Sequence, residues 1–496
     1  PIAIIGLAGR YPGAGDDPEG FWDVLSQGRD CISDVPPERW NHDPYYDASG
    51  ETPGKTYGKW GGFLDNMDHF DPLLFRIAPR EARVMDPQER LFLETAWTAF
   101  EDAGYARQRL QGQRVGVYVG VMWQEYQLYG IEAARRASPL LPMSFSSSVA
   151  NRVSYVLDLH GPSLTLDTAC SSSLTAIHLA CESLHRGEST MALAGGVNLS
   201  LHPSKYQFLA QGRMLSTDGR CRGFGANGDG YVPGEGVGAI VLKPLSLAQA
   251  DGDVVQGIIL ATGVNHGGRT SGYTVPSPAA QAEIVTDVLG RGGVVNEISY
   301  IEAHGTGTAL GDPIEIEGLC RAFKNLGADT DRRCAIGTVK SNIGHLESAA
   351  GIAGVTKVLL QLRHRQLVPS LHTQDLNPGI DFENTPFRVQ RSLEDWTLPA
   401  GVSRRVAGVS AFGAGGTNAH VIIAEAPSAD RQDETEPSPQ LDIAVLSART
   451  EEQLKVYAQR MADWLRQQCL EDTGAEDLEP AIRDALAQQL GLNAQN

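Results

Sequence analysis

Apolar positions over the first 426 residues follow two alternating rhythms. Short apolar runs at 115–121 (VGVYVGV), 163–169, 191–198, 236–242, 255–261, 298–303, 335–339 and 406–411 predict β-strands, and the opening Ile2-Ala3-Ile4-Ile5 is of the same kind. Between them apolar residues recur at helical spacing, as at Leu174, Ile177, Cys181 and Leu184 before Gly187. Strands interleaved with amphipathic helices predict an α/β architecture. The pattern stops at 427–440 (PSADRQDETEPSPQ), which is rich in proline and acid and reads as a linker. Beyond it, Asp442–Ala448 predicts a strand, and 450–466 sets Leu454, Tyr457, Ala458, Met461 and Leu465 on one helical face. A last helix is expected over 480–490, with Ile482, Ala485, Leu486 and Leu490 ahead of Gly491. No tandem repeat at solenoid periods appears.

Composition narrows the function. No run approaches the ~18 uncharged apolar residues of a membrane helix. The formal net charge is −19, and a chain of that sign is a poor match for nucleic acid, whose binding needs a basic field to displace phosphate counterions. Seven scattered cysteines without a CxxC pair indicate neither a disulfide framework nor a zinc cage, and fit a reduced cytosolic setting. The chain starts at Pro1 with no basic leader, which is expected of a piece cut from a longer polypeptide.

Three segments carry candidate chemistry at predicted strand ends, where open α/β sheets form ligand crevices. Asp167-Thr168-Ala169-Cys170-Ser171-Ser172-Ser173 sets Cys170 at a strand-to-helix turn. The helix end there is expected to lower the thiol pKa and so activate a nucleophile; the alternative is a small buried cysteine like Cys181. Glu302-Ala303-His304-Gly305-Thr306-Gly307-Thr308 follows a second strand, and Lys340-Ser341-Asn342-Ile343-Gly344-His345 a third. Each histidine alone could be structural, but two of them beside a cysteine and a lysine favour catalysis. Zinc is disfavoured by the absence of paired ligand spacing. A fourth segment, Ser410-Ala411-Phe412-Gly413-Ala414-Gly415-Gly416-Thr417-Asn418-Ala419-His420, is a glycine-rich loop between strands 406–411 and 421–425. It suits close backbone approach, as in an oxyanion hole, or else a tight connection. Gly223-Phe224-Gly225-Ala226-Asn227-Gly228 matches GxGxxG, yet a strand and no helix follows, so dinucleotide binding is rejected.

With DTACSSS, EAHGTGT and KSNIGH in this order, residues 1–426 resemble the ketosynthases of the thiolase superfamily, in particular those of modular polyketide synthases. Ile4–Pro12, Met85–Arg90 and Gly161-Pro162-Ser163 are further family-like segments, and 119–130 and 230–245 resemble the subgroup whose acyltransferases act in trans. The resemblance implies a thiolase-like fold: two pseudo-symmetric βαβ-rich halves, 1–250 and 251–426, in a layered α/β arrangement. A small α/β element is expected at 441–496 after the linker, similar to that after other ketosynthases and ending at the start of a carrier domain.

By resemblance, Cys170 is the nucleophile, His304 and His345 are the catalytic histidines, and Lys340 supports them. The N–H groups of Cys170 and Ala414 form the oxyanion hole, and Thr306 and Thr308 meet the phosphopantetheine of an acyl carrier protein. Trp123, Met143 and Phe412 are expected to line the acyl pocket. Implied partners are upstream and downstream carrier proteins, a second copy in a homodimer and a trans-acting acyltransferase. No metal or resident cofactor is expected. The implied reaction is decarboxylative condensation with malonyl carrier protein, the alternative a ketosynthase that transfers chains without elongating them. A coenzyme A thiolase is disfavoured by the two histidines, one of which thiolases replace by cysteine, and a dead scaffold subunit by the retained Cys170. Ala414 stands where fatty-acid relatives tend to carry an aromatic gate, which implies a wider acyl tunnel.

Overall fold

Among the described residues, eleven strands form one mixed sheet: β1 (Ile2–Arg10), β2 (Val115–Gly120), β3 (Ser163–Leu166), β4 (Met191–Asn198), β5 (Gly236–Pro244), β6 (Gly257–His266), β7 (Ile298–Glu302), β8 (Cys334–Gly337), β9 (Phe387–Val389), β10 (Val406–Phe412) and β11 (Thr417–Ala424). The structure is a computed structural model and describes residues 1–328, 333–398, 401–426, 445–448 and 450–473, with side chains of the last segment to residue 466. The chain divides into two units, Pro1–Pro427 and Ser428–Asn496.

The sheet order is β9-β8-β7-β10-β11-β6-β1-β5-β4-β2-β3. Outward from the β6/β1 junction, both directions read alike. β1-β5-β4-β2-β3 has two antiparallel pairings followed by two parallel ones, and β6-β11-β10-β7-β8 repeats that order and sense. This is the pseudo-symmetry implied by the resemblance. The halves join through Ile2–Ile4 against Gly257–Ile259.

Strand alternation builds the layers. Ile2, Ile4, Ala192, Ala194, Ile240 and Leu242 face a central core, which Ala407, Val409, Val421 and Ile423 enter from the other half. Two helices fill that core, Ser172–His185 and Ala350–His364. Ala350 to Leu362 are buried without a break, as a helix packed on every side requires. Their close approach needs Gly351, where a Cβ would lie 2.5 Å from Leu174. The opposite strand faces are covered by outer helices: Pro87–Asp102 and Ser146–Leu157 on the first half, Pro278–Gly292 and Gly311–Asn325 on the second. Asp86 and Ser277 cap two of these, accepting the N–H groups of Gln88 (2.8 Å) and Ala280 (3.3 Å), each with proline at the first turn.

The expected strand 163–169 ends at Leu166, because the chain turns early to present Cys170. Residues 445–448, the described part of the expected strand Asp442–Ala448, are not a strand. The helix expected over 450–466 is present as Glu451–Thr473, while linker 427–440 and helix 480–490 lie outside the described residues. No helix follows the GxGxxG match before β5. No described helix is long and apolar enough to cross a membrane.

Candidate active site

Cys170 sits on a turn built by its neighbours. Ala169 takes φ +55°, a conformation that a non-glycine residue holds only where its surroundings enforce it. Asp167 accepts the Ala169 N–H (2.8 Å), and the Ser171 hydroxyl donates to the Thr168 carbonyl (2.8 Å). The Ser172 hydroxyl donates to the Ala169 carbonyl (2.6 Å) and accepts the Thr168 N–H (2.9 Å). Ser173 accepts the Ile352 N–H (3.0 Å), tying the turn to the second central helix. The serine run is thus the scaffold of the Cys170 turn.

The two histidines are oriented from the backbone. After β7, buried Glu315 accepts the N–H groups of His304 (2.7 Å) and Gly305 (2.8 Å), and the Phe412 N–H donates to His304 Nδ1 (3.3 Å). After β8, the Glu347 N–H donates to His345 Nδ1 (3.0 Å). An Nδ1 that accepts leaves the proton of a neutral imidazole on Nε2. Both rings are neutral: burial, and then the Lys340 charge, push their pKa values well below normal. His345 Nε2 is buried without a hydrogen-bond partner, so this donor points at a site that something else fills.

The Cys170 sulfur and the nearest nitrogens of His304 and His345 lie within 4.8 Å of one another. A cysteine and two histidines this close could ligate a soft metal, but the residues do not fit one. A ligand needs a lone pair at Nε2, and here both Nδ1 atoms face N–H donors that keep the proton on Nε2. The pair is built to donate hydrogen bonds.

Backbone N–H groups of Ala414 and of Cys170 itself reach the Cys170 thiol. The Ala414 loop is held against the Cys170 turn, since a Cβ on Gly413 would meet the Thr168 carbonyl oxygen at 2.3 Å. The thiol departs from the expectation of a lowered pKa. Burial pushes it up to about 12, and the Glu347 charge adds to this, while the Ala414 N–H, Lys340 and its own N–H pull back. Desolvation exceeds what the helix end supplies. Lys340 is buried and faces Glu302 and Glu315; burial lowers its pKa and the two carboxylates raise it.

A cavity of about 670 Å³ is lined by Cys170, His304 and His345, with Thr306, Thr308, Phe412 and Ala414 also on its wall. Two expected lining residues are elsewhere. Trp123 lies behind the site, its Nε1 donating to Glu347 (2.7 Å), and Met143 is exposed on the surface. Glu315, Glu347 and Lys205 support the site and were not anticipated. Glu347 stands two positions past His345, which is a usable signal, whereas nothing near Lys205 in sequence indicates its place.

Residues 1–248 match the model of the β-ketoacyl synthase N-terminal domain, 256–374 that of its C-terminal domain, and 377–478 the ketoacyl-synthetase C-terminal extension. The chain belongs to the β-ketoacyl synthase family. This ketosynthase is 57% identical, over 99% of its length, to polyketide synthase ThaG of Burkholderia thailandensis, covering 9% of that protein. It is 55% identical over 94% of its length to polyketide synthase PksL of Bacillus subtilis, covering 11% of it. The chain therefore spans about a tenth of these curated relatives. Among solved structures it is similar to the oxazolomycin ketosynthase domain OzmH KS7 of Streptomyces albus JA3453, with TM-score 0.88 and 53% identity, covering 94% of this chain and 80% of that one. It is also similar to the ketosynthase from module 6 of the bacillaene synthase of Bacillus subtilis 168, with TM-score 0.83 and 42% identity, covering 96% of this chain and 78% of that one. These likenesses establish a thiolase-like ketosynthase fold and a condensing-enzyme class.

Proposed function

We propose that this ketosynthase takes an acyl chain from the phosphopantetheine of one carrier protein onto Cys170 and extends it with malonyl delivered on another. The observation that carries this reading is the meeting, on one cavity wall, of the Cys170 sulfur with two imidazoles whose Nδ1 atoms each accept a backbone N–H. In the first step the thiol sulfur adds to the acyl carbonyl. The Cys170 and Ala414 N–H groups hold the oxyanion, and the pantetheine thiol leaves with the proton lost by Cys170. In the second, malonyl loses its carboxylate as CO2 and the electron pair becomes an enolate, its oxygen held by His304 and His345. The enolate carbon then attacks the Cys170 thioester, the carbon–sulfur bond breaks, and a β-ketoacyl carrier leaves. Burial does most to keep both imidazoles neutral, and Lys340 adds to it through its charge.

Thr306 and Thr308, hydrogen-bonded to each other (3.2 Å) on the cavity wall, would meet the pantetheine arm. A homodimer is supported by β3, an unpaired sheet edge with Leu164 exposed, and by exposed Phe145 and Tyr155. The likeness to PksL and ThaG supports operation inside a larger polyketide synthase, which in this reading is served by a trans-acting acyltransferase and works in a cytosolic setting. The division into halves 1–250 and 251–426, linker 427–440 and tail element 441–496 belongs to the same reading.

The test is intact-protein mass spectrometry after exposure to a short acyl-pantetheine thioester, followed by malonyl-loaded carrier protein. Acylation and then release of a β-ketoacyl carrier is the expected course; acylation that persists after malonyl addition would instead make this a transfer-only ketosynthase. A second expectation concerns Ala414, whose small side chain opens the cavity beside Phe412. Ala414→Phe should disfavour long or branched acyl chains relative to acetyl by about tenfold, at the scale of a filled apolar pocket. Equal competition between long and short chains in both proteins would refute the gate.

A further inference from the structure

Behind the cavity lies a buried ion pair with no part in the two chemical steps. Lys205 Nζ is 2.6 Å from the Glu347 carboxylate, and both side chains are essentially inaccessible to solvent. The carboxylate also accepts Trp123 Nε1–H (2.7 Å) and the Tyr231 hydroxyl (3.2 Å). Lys205 donates to the Leu199 carbonyl (3.2 Å) and Asn198 Oδ1 (3.4 Å) and sits 5.3 Å from the centre of the Trp123 ring. A buried pair costs desolvation that its attraction seldom exceeds by much, so one this well coordinated calls for a role other than stability.

Its geometry supplies one. Glu347 takes φ +46°, which a glutamate holds only under constraint. Three groups on three different segments grip its side chain, and in that conformation its own N–H is aimed at His345 Nδ1 (3.0 Å). We propose that Glu347 and Lys205 are positioning residues that fix His345 as an Nε2–H donor and set the charge balance around Cys170. This rests on the condensing role of His345 argued above.

The titratable groups facing Cys170 and His345 are Glu347, Lys340, His304, Lys205 and Tyr231, with Cys221 beyond Tyr231 and Glu125 beyond Lys205. Of these, Glu347 is the carboxylate that most opposes ionisation of the Cys170 thiol. Replacing it by glutamine leaves Lys205 uncompensated, so thiolate forms at lower pH. Weakening the grip without removing the charge does the reverse. Trp123→Phe takes one hydrogen-bond donor from the carboxylate and leaves its field stronger at the sulfur.

The experiment is the rate of Cys170 alkylation by iodoacetamide against pH on the full chain, with acylation and condensation rates measured separately. Glu347→Gln should speed alkylation about tenfold at a given pH below the midpoint, the effect of one pKa unit. Its condensation should slow about tenfold, while acylation, which uses the same sulfur, should not slow. Trp123→Phe should slow alkylation, and Lys205→Met combined with Glu347→Gln should bring the profile back towards wild type. Shifts of opposite sign from two variants at one carboxylate are not a consequence of general damage. An unchanged profile in both single variants, or shifts of the same sign, would overturn the proposal. If Glu347→Gln does not fold, the direction of the Trp123→Phe shift decides. Failure of the condensing reading is distinct: wild type would then acylate without extending while the alkylation shifts persist.

Discussion

Incubated with a short acyl-pantetheine thioester, the Cys170→Ala protein gains no acyl mass. Among the described cysteines, Cys170 is the one on the cavity wall, and Cys181, Cys221 and Cys334 are buried away from it. Alanine fills nearly the same space and alters none of the bonds from Asp167, Ser171 and Ser172 that hold the turn, so the melting temperature should stay close to wild type. The loss should be complete, since a bound thioester then meets only hydrogen-bond donors. His304 and His345 keep their Nε2–H groups in this variant, because both are oriented by Phe412 and Glu347 and not by the sulfur. Malonyl carrier presented to Cys170→Ala should therefore still lose CO2 and yield acetyl carrier, which mass spectrometry of the carrier reports. Acyl mass retained in the variant would mean a different nucleophile. Loss of decarboxylation along with acylation would mean that the sulfur, and not the imidazole pair, organises the second step.

The strands were legible because each is a short apolar run between turns, and β4 was read to its last residue. β9 was not, being a three-residue edge strand whose pairing with β8 follows from tertiary packing. The trio on the cavity wall was legible for a related reason. Cys170, His304 and His345 each lie within a few residues of a strand end, and the fold gathers those ends. What could not be read was burial. Local sequence puts Cys170 at a helix end and so argues for an acidic thiol, whereas the enclosing shell reverses the sign. Nor does local sequence show the surroundings of Trp123 and Met143: the first donates to Glu347 and the second is exposed in the single chain, contacts that depend on partners far away in sequence. Lys205 and Glu347 illustrate this most clearly, since each makes sense only in the presence of the other.

The His304→Ala protein should acylate Cys170 at close to the wild-type rate and fail to extend the chain. In the proposed first step acyl transfer uses the Cys170 sulfur and the N–H groups of Cys170 and Ala414, and none of these depends on the His304 ring. That ring touches Phe412, with centroids 5.7 Å apart, and stands at 82° to His345, with centroids 5.4 Å apart. Removing it takes one of two donors from the oxygen on which the enolate charge develops, in a buried site where water is a poor substitute. Loss of such a donor slows turnover by about 10²–10³-fold, and condensation should fall by that amount with the acyl enzyme accumulating. The backbone should hold its course, because Glu315 binds the main-chain N–H groups of residues 304 and 305 whatever the side chain. Single-turnover measurement of both half-reactions distinguishes the cases. Extension within about tenfold of wild type would remove His304 from the enolate site and leave His345 as its sole imidazole donor. Loss of acylation as well would mean that the ring also serves the first transfer, and that the two half-reactions share one set of donors.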